Sequence, residues 1–110
     1  MYNQLVKQLL SQTTIEDADI LDEQKKYSVS DNFSTIEFYI STSKVSFKVY
    51  GDAYIVAMVK WLQLKLQNGD DIDNIDIESL VKEFDLPDVK QRNAIQLMDL
   101  IEKINDRKAI

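Results

Sequence analysis

The sequence predicts an α+β fold in which one N-terminal helix precedes an antiparallel sheet of two to three strands, and three further helices pack on one face of that sheet. Two observations indicate this fold class. Apolar residues alternate with polar ones in two neighbouring segments, as in half-buried strands, and they recur every three or four residues before and after those segments, as in helices. The length of 110 residues suits a single domain, residues 1–110, with one modest core.

The first elements follow from these two periods. Residues 3–12 are predicted to form an amphipathic helix. Residues 13–26 are expected to form a turn or irregular chain, and Asp17, three residues after Thr14, suits a capped turn at its start. A hairpin follows, since Ser-Thr-Ser separates two alternating segments; a third, edge strand is expected over residues 26–30. The alternating apolar positions are Ile36, Phe38, Ile40, Val45, Phe47 and Val49.

The remaining chain is predicted to be helical. The stretch from Ala53 to Gln67 is apolar nearly all round, which is typical of a buried helix, and Asn68-Gly69 ends it. A short helix begins at the cap Asp76, and the last helix runs from residue 88 to about residue 107. The acidic stretch between the first two of these helices is interpreted as a solvated connection, because Ile75 stands where a calcium loop needs an oxygen ligand.

Composition and charge exclude several classes of function. The net charge of −6 argues against sequence-independent binding of nucleic acid or an anionic membrane, because phosphate would be repelled. No stretch reaches the roughly 18 apolar residues of a membrane span, and no signal-peptide pattern opens the chain, so a cytoplasmic location is expected. Without cysteine or histidine the commonest catalytic groups and metal ligands are missing, so we expect a non-enzyme without a cofactor.

Two motifs resemble those of the U-type iron–sulfur cluster scaffolds, meaning IscU, SufU and the N-terminal domain of NifU. Phe47–Gly51 matches the strand F-K-x-Y/F-G that leads to a cysteine, and Leu86–Lys90 matches L-P-P-V-K before the last helix, with Asp88 in place of the second proline. The segment after Tyr50 also looks like the strand-to-helix segment of the SufE sulfur acceptors. The resemblance therefore indicates the SufE/NifU-type superfamily and leaves the subfamily open.

The resemblance places the family's cluster ligands at residues that are unsuited to bind a cluster. The three cysteines and the histidine, with the aspartate of the first cysteine motif, fall at Ser30, Asn32, Asp52, Arg92 and Asn93. A [2Fe–2S] cluster needs soft anionic sulfur, and Arg92 would put a permanent positive charge where a cation should sit. The resemblance thus implies a protein that holds no cluster, and the lack of any thiol excludes sulfur transfer through a persulfide.

Two segments have alternative interpretations. Asp52 is expected to cap the buried helix, and the resemblance adds the hypothesis of an Asp52–Arg92 ion pair that closes the former site, with Asn93 and Ser30 nearby. In the family the L-P-P-V-K segment binds a specialised Hsp70-type chaperone. The interpretation favoured for this chain is that Pro87 ends one helix and Asp88 caps the next. The candidate partner-binding segment consists of Leu86, Pro87, Asp88, Val89 and Lys90.

Three functions remain open on this basis. The first is a ligand-free, non-catalytic scaffold-like protein that acts by contact with a cysteine desulfurase, a scaffold protein or an Hsp70-type chaperone, in or near iron–sulfur cluster assembly or sulfur mobilisation. The second is a binding module that kept the fold and works outside that pathway. The third is an oxygen-ligand metal site or carboxylate enzyme around Asp52, Asn32 and Ser30, against which Arg92 counts.

Overall fold

The computed structural model describes residues 2–108, and its elements confirm the predicted α+β fold and element order. Two 3₁₀ helices accompany the regular elements, one at Ile15–Ala18 and one at Asp88–Lys90. The strands are β1 (Lys25–Ser30), β2 (Thr35–Ile40) and β3 (Val45–Tyr50), and the helices are α1 (Gln4–Gln12), α2 (Ala53–Gln67), α3 (Ile77–Glu83) and α4 (Gln91–Lys108). Within residues 2–108, no helix is long and apolar enough to cross a bilayer.

The sheet is antiparallel throughout, with the strand order β1-β2-β3. The predicted hairpin is confirmed: Phe38 lies opposite Phe47, and Ser41 N–H donates to the Lys44 carbonyl at 3.0 Å across the turn. The expected edge strand is also present and is one residue longer than predicted, at Lys25–Ser30. Alternation turns the apolar side chains of β2 and β3 to one face, on which the helices pack.

Helix α2 is the centre of the core, as its apolar sequence predicts. It lies between α1 and β3 and also contacts α4. The helix ends at Gln67 with Asn68 as its C-cap, and Gly69 adopts a φ of 75°, a left-handed conformation that glycine enters without a steric penalty. Fully buried side chains come from the sheet, from α2, from α3 with its C-cap, and from α4. They include Ile36, Phe38, Ile55, Met58, Leu62, Leu80, Phe84, Leu97 and Leu100.

Residues 13–26 contain more structure than the sequence predicts. The Thr14 N–H donates to the Asp17 carboxylate at 2.9 Å, which fixes the first turn of the 3₁₀ helix Ile15–Ala18. The chain then crosses β3, and the Ser46 hydroxyl donates to the Asp19 carbonyl at 2.5 Å. This segment thus packs across the start of β3 and is held there by hydrogen bonds that involve side chains. We name residues 13–26 the clasp.

A buried polar network anchors this clasp to α2. The Lys60 ammonium lies 3.1 Å from both oxygens of Asp17 and donates to Gln63 Oε1 at 2.8 Å, while Gln63 Nε2 donates to the Val45 carbonyl at 2.8 Å. Burial by itself would raise the pKa of Asp17, but the bonds from Thr14 N–H, Gln63 and Lys60 outweigh it and lower the pKa. The two buried polar residues of α2, Lys60 and Gln63, therefore both bond to one carboxylate.

Removing the lysine from this network is expected to destabilise the protein. Lys60→Met leaves the Asp17 carboxylate, whose side chain is 12% exposed, without its counter-charge, so the free energy of unfolding should fall by about 2–4 kcal/mol. Urea unfolding monitored by circular dichroism measures the change. The control Lys82→Met removes an exposed lysine of α3 and should change the free energy of unfolding by less than about 0.5 kcal/mol. Equal losses in the two variants would contradict this account.

Candidate functional site

The candidate site is the corner between β3 and α2, where the resemblance places a ligand position. The strand ends at Tyr50 and the helix begins at Ala53, with Asp52 as its N-cap in an extended conformation. Asp52 Oδ1 accepts a hydrogen bond from Ile55 N–H at 3.0 Å, which satisfies one of the free N–H groups of the first turn. The predicted cap is confirmed.

Gly51 is required at this corner by close packing. A Cβ atom on this residue would lie 2.5 Å from Ile55 Cγ2 and 2.9 Å from Ser34 Cβ, which is closer than packed carbon atoms approach. The first neighbour belongs to α2 and the second to the turn between β1 and β2. The absence of a side chain therefore lets the sheet, the helix and this turn meet at one point.

The predicted Asp52–Arg92 ion pair is wrong. Among the side chains that the structure describes, the salt-bridge partner of Asp52 is Lys90, whose Nζ lies 2.8 Å from Oδ2. Asn93 is nearby as predicted, and its Nδ2 donates to the two Asp52 oxygens at 3.2 and 3.3 Å. The carboxylate thus joins the start of α2 to the start of α4 through an ammonium and an amide.

Helix phase explains why Lys90 replaces Arg92 in this role. Residues three apart share a helix face, so Lys90 and Asn93 point together, whereas neighbouring residues are turned by about 100°. Arg92 points instead toward the β1–β2 turn, where its guanidinium carbon lies 4.0 Å from the ring centroid of Phe33. Its Nη1 donates to the Val89 carbonyl at 2.7 Å. The positive charge of Arg92 is therefore used to hold an aromatic ring.

The electrostatics of the corner favour an ionised Asp52. Partial burial would raise the pKa of its carboxyl, but the contacts with Lys90, Ile55 N–H and Asn93 outweigh it and hold the pKa below its ordinary value. A divalent cation would have to displace the Lys90 ammonium from this carboxylate. Among the described residues, no group of three or more aspartates, glutamates, cysteines or histidines is arranged to hold a metal ion.

Ser30 and Asn32, the other two positions that the resemblance assigns to the site, make no hydrogen bond or salt bridge with Asp52 among the described residues. Ser30 ends β1 and lines a groove beside α4 with Asp99, Glu102 and Lys103. Asn32 is exposed in the turn between β1 and β2, one residue before Phe33. The structure therefore brings Asp52 and Asn93 into contact, whereas Asn32 lies next to Phe33, which contacts Arg92, and Ser30 lines the groove beside α4.

The segment Leu86–Lys90 leads into this corner. Leu86 is buried, and Lys90 is held by Asp52, so the accessible part of the segment is Pro87, Asp88 and Val89. The predicted cap by Asp88 is wrong: Pro87 takes the N-cap position of the 3₁₀ helix, and Asp88 is the first residue inside it. The Asp88 carboxylate accepts from the Gln91 side chain at 3.3 Å instead.

Four apolar side chains are exposed around the corner, and the sequence analysis did not identify them as a set. Their exposed fractions are 65% for Phe33, 69% for Tyr50, 71% for Val89 and 51% for Ile95; we name them the corner surface. Arg92 links two of them, since its guanidinium lies over the Phe33 ring and donates to the Val89 carbonyl, and apolar side chains gathered on a surface are typical of interaction sites. The sequence pattern carried a signal for two of them, since the alternation of β3 turns Tyr50 away from Val49 and Ile95 lies on the side of α4 away from its apolar stripe. Phe33 and Val89 lie outside the strands and α-helices, where neither pattern applies.

Polar contacts, some exposed and some buried, fix the turn that carries Phe33. The Asp31 carboxylate accepts from the N–H groups of Phe33 and Ser34 at 2.8 and 2.9 Å, and these bonds lower the pKa of Asp31. Ser34 donates its hydroxyl to Gln96 Oε1, and Gln96 Nε2 donates to the Ser34 carbonyl at 3.0 Å. The turn is therefore fastened to α4, and the corner surface has a defined shape.

Neither a family model nor a curated protein matches this chain. The relationship to the iron–sulfur scaffolds stays a prediction from the two motifs.

Gly51 offers a test of the close packing at the corner. Gly51→Ala should lower the free energy of unfolding by about 1–3 kcal/mol, since the added methyl overlaps Ile55 and Ser34. Gly69→Ala is the control, because nothing lies within 4 Å of a Cβ there and the cost comes from its left-handed backbone alone, about 1 kcal/mol. Thermal and urea unfolding measure both changes. A Gly51→Ala variant as stable as the natural protein would contradict the account.

Asp52 should contribute to stability in two separable parts. Asp52→Asn keeps an oxygen for Ile55 N–H but loses the ion pair with Lys90, at a cost of about 0.5–1 kcal/mol; Asp52→Ala also loses the cap, at a further cost of about 1 kcal/mol. Because folding lowers the pKa of Asp52, the contribution of its charge is complete above the unfolded-state pKa and is lost as the pH falls through the folded-state pKa.

Urea unfolding of the Asp52 variants as a function of pH measures these contributions. The stability gap between the natural protein and Asp52→Asn should close as the pH falls from neutrality, while the additional loss in Asp52→Ala should persist. Asp73→Asn, at an exposed carboxylate in the connection before α3, is the control for a charge change without an ion pair. A gap for Asp52→Asn that is unchanged at low pH would exclude the charge contribution.

Proposed function

We propose that this protein is a cytoplasmic, scaffold-like protein that holds no iron–sulfur cluster and acts by contact with other proteins in or near cluster assembly or sulfur mobilisation. The supporting observation is the corner itself. At the position where the resemblance places a ligand, the chain carries Asp52 neutralised by Lys90, and Arg92, two residues after Lys90, holds Phe33 and Val89 of the corner surface. The order of helices and strands agrees with the one that the resemblance implies.

The closed corner favours a role in binding over a role in chemistry. The Asp52 oxygens are engaged by Lys90, Asn93 and Ile55 N–H, so the carboxylate is already neutralised and hydrogen-bonded. A scaffold that presents a ligand needs an open, deprotonated donor at this point. The corner offers a fixed apolar contact area instead.

The corner surface has the character of a small protein-binding site. Phe33 and Tyr50 are aromatic residues of the kind enriched at interface centres, and Arg92 behind Phe33 adds a rigid cationic group. Val89 belongs to the segment that in the family binds an Hsp70-type chaperone. A cysteine desulfurase, a scaffold protein or an Hsp70-type chaperone are therefore the partners that we propose for this surface.

A binding module that works outside iron–sulfur metabolism would use the same surface. The two proposals differ only in the identity of the partner, which the fold does not determine. Purification of the tagged protein from its native cells, followed by mass spectrometry, separates them.

The proposal predicts retention of a cysteine desulfurase, a scaffold protein or an Hsp70-type chaperone in this purification. Phe33→Asp and Val89→Asp should each reduce the retained partner at least about tenfold, because a charge is placed in the apolar contact. Ile15→Asp is the matched control, since Ile15 is 90% exposed on the first 3₁₀ helix, outside the corner surface, and its replacement should leave retention unchanged.

Three results would argue against the proposal. Recovery of none of the three partner classes would remove the link to iron–sulfur metabolism. Retention of a partner by both corner variants would remove the role of the corner surface. Loss of the partner in Ile15→Asp to the same degree would indicate a general defect, and circular dichroism of each variant checks that it is folded.

A further inference from the structure

The clasp is attached to the rest of the molecule without a buried apolar side chain. The structure describes all of its residues, 13–26, and none of them is buried. The apolar residues of this segment are all exposed, and they are Ile15, Ala18, Ile20 and Leu21. Segments with few buried apolar contacts open at a lower free energy than the core. The clasp therefore has the burial pattern of a segment that opens while the rest of the molecule stays folded.

Side-chain hydrogen bonds hold the clasp between its two ends. It leaves α1 at Thr13 and enters β1 at Lys25, and among the described main-chain bonds none joins residues 14–24 to β3. The bonds from this stretch to the hairpin and α2 are Asp17 with Lys60 and Gln63, the Asp19 carbonyl with Ser46, the Glu16 carbonyl with Lys44, and the Gln24 side chain with Tyr39, Lys44 and Ser46. Release of residues 14–24 therefore requires the loss of these side-chain contacts and of no strand pairing.

Asp17 connects the internal structure of the clasp to the core. Its carboxylate accepts from Lys60 and Gln63 of α2 and from the Thr14 N–H of the clasp itself. The side chains of Asp17 and Lys60 are 12% and 8% exposed, so both charges have lost most of their hydration. When the clasp opens, both groups regain water, which offsets part of the lost attraction. Opening is therefore less costly than the contact distances alone suggest.

The outer edge of β3 lies beneath the clasp. The strand order β1-β2-β3 leaves one side of β3 without a neighbouring strand. The Val45 carbonyl accepts from Gln63 of α2 at 2.8 Å, so it points away from β2. By the alternation of antiparallel pairing, the main-chain groups of Phe47 and Val49 point outward as well. An uncovered edge of this kind pairs readily with another chain.

The 3₁₀ helix Ile15–Ala18 lies against this edge. Among the described residues it makes no main-chain bond to the edge, and a gap of about 350 Å³ remains between the helix and Phe47–Tyr50. Beyond the helix, the clasp crosses Ser46, whose buried hydroxyl bonds to the Asp19 carbonyl and to Gln24. A covering segment of this kind is one of the ways in which proteins keep a strand edge from pairing.

We propose that the clasp is a detachable cover of β3. Residues 14–24 open as one unit, with Asp17 as the contact that keeps them closed, while the sheet and the α-helices stay folded. The clasp thereby controls access to the edge of the strand that ends at Tyr50 of the corner surface. This proposal does not depend on the iron–sulfur proposal, because it concerns a movement of the chain and holds for any partner.

Because the chain has no cysteine, a single introduced thiol is a specific probe of opening. In Ser46→Cys the thiol lies under the clasp, and in Ala57→Cys it lies in the core on α2; both positions are fully buried. Each full-length variant is mixed with 5,5′-dithiobis(2-nitrobenzoate) at several urea concentrations below the unfolding transition. Labelling of Ser46→Cys should depend weakly on urea, because opening the clasp uncovers little apolar surface, whereas labelling of Ala57→Cys should rise steeply with global unfolding. The same urea dependence for both thiols would overturn the proposal.

Asp17→Asn, combined with Ser46→Cys, tests the contact that keeps the clasp closed. The substitution removes the counter-charge of Lys60, so the thiol should be labelled about tenfold faster. Asp19→Asn is the matched control, since it makes the same charge change in the same segment at an exposed side chain and should leave the rate unchanged. An equal rate in all three chains, or equal acceleration by both substitutions, would exclude this role of Asp17.

Hydrogen exchange of the natural sequence measures the same opening without a substitution. The amides of Asp17, Asp19 and Gln24 bond to carbonyls inside the clasp at 3.1 to 3.2 Å, so they should exchange when the clasp opens. They should exchange faster than the amide of Leu62 in the buried helix, and urea should change their exchange rates little and to the same degree. Clasp amides that exchange only together with the core, or that respond to urea independently of one another, would contradict opening as one unit.

Discussion

The corner at Gly51 and Asp52 sets the positions of the three parts of the molecule. Gly51 allows α2 and the β1–β2 turn to meet without a side chain between them, and Asp52 starts α2 while holding Lys90 and Asn93 at the start of α4. The residue that caps α2 thereby also connects α2 to α4, which lies far from it in the sequence. This residue pair thereby acts together with the apolar core and the bonds between Ser34 and Gln96 to align the sheet, the buried helix and the last helix.

Periodicity was sufficient to predict the elements, because each is long enough to repeat its pattern. The alternation through Phe38 and Phe47 and the nearly continuous apolar sequence of α2 both correspond to what is observed. The clasp of residues 13–26 was not predictable in this way. It depends on Asp17 reaching Lys60 on α2, and a contact between residues so far apart in the chain leaves no periodic trace.

The cap at Asp52 and its contact with Asn93 were predicted, but its salt bridge with Lys90 was not. The cap at Asp52 and the proximity of Asn93 follow from local rules and from the resemblance. The choice of Arg92 as counter-ion followed a ligand position in a motif and ignored the helix face on which that position lies. Lys90 was identifiable from its spacing of three residues before Asn93, since that spacing places both side chains on one face.

Because Lys90, and not Arg92, pairs with Asp52, the ion pair at the corner is connected with the exposed apolar side chains beside it. Because Lys90 neutralises Asp52, the guanidinium of Arg92 is available to stack on Phe33 and to bind the Val89 carbonyl. Those two contacts hold apolar residues of the corner surface in place while leaving them open to solvent. An arginine drawn into the corner by Asp52 would leave Phe33 without this support. The ion pair at the position where the resemblance places a ligand therefore leaves Arg92 free to fix exposed apolar side chains beside it.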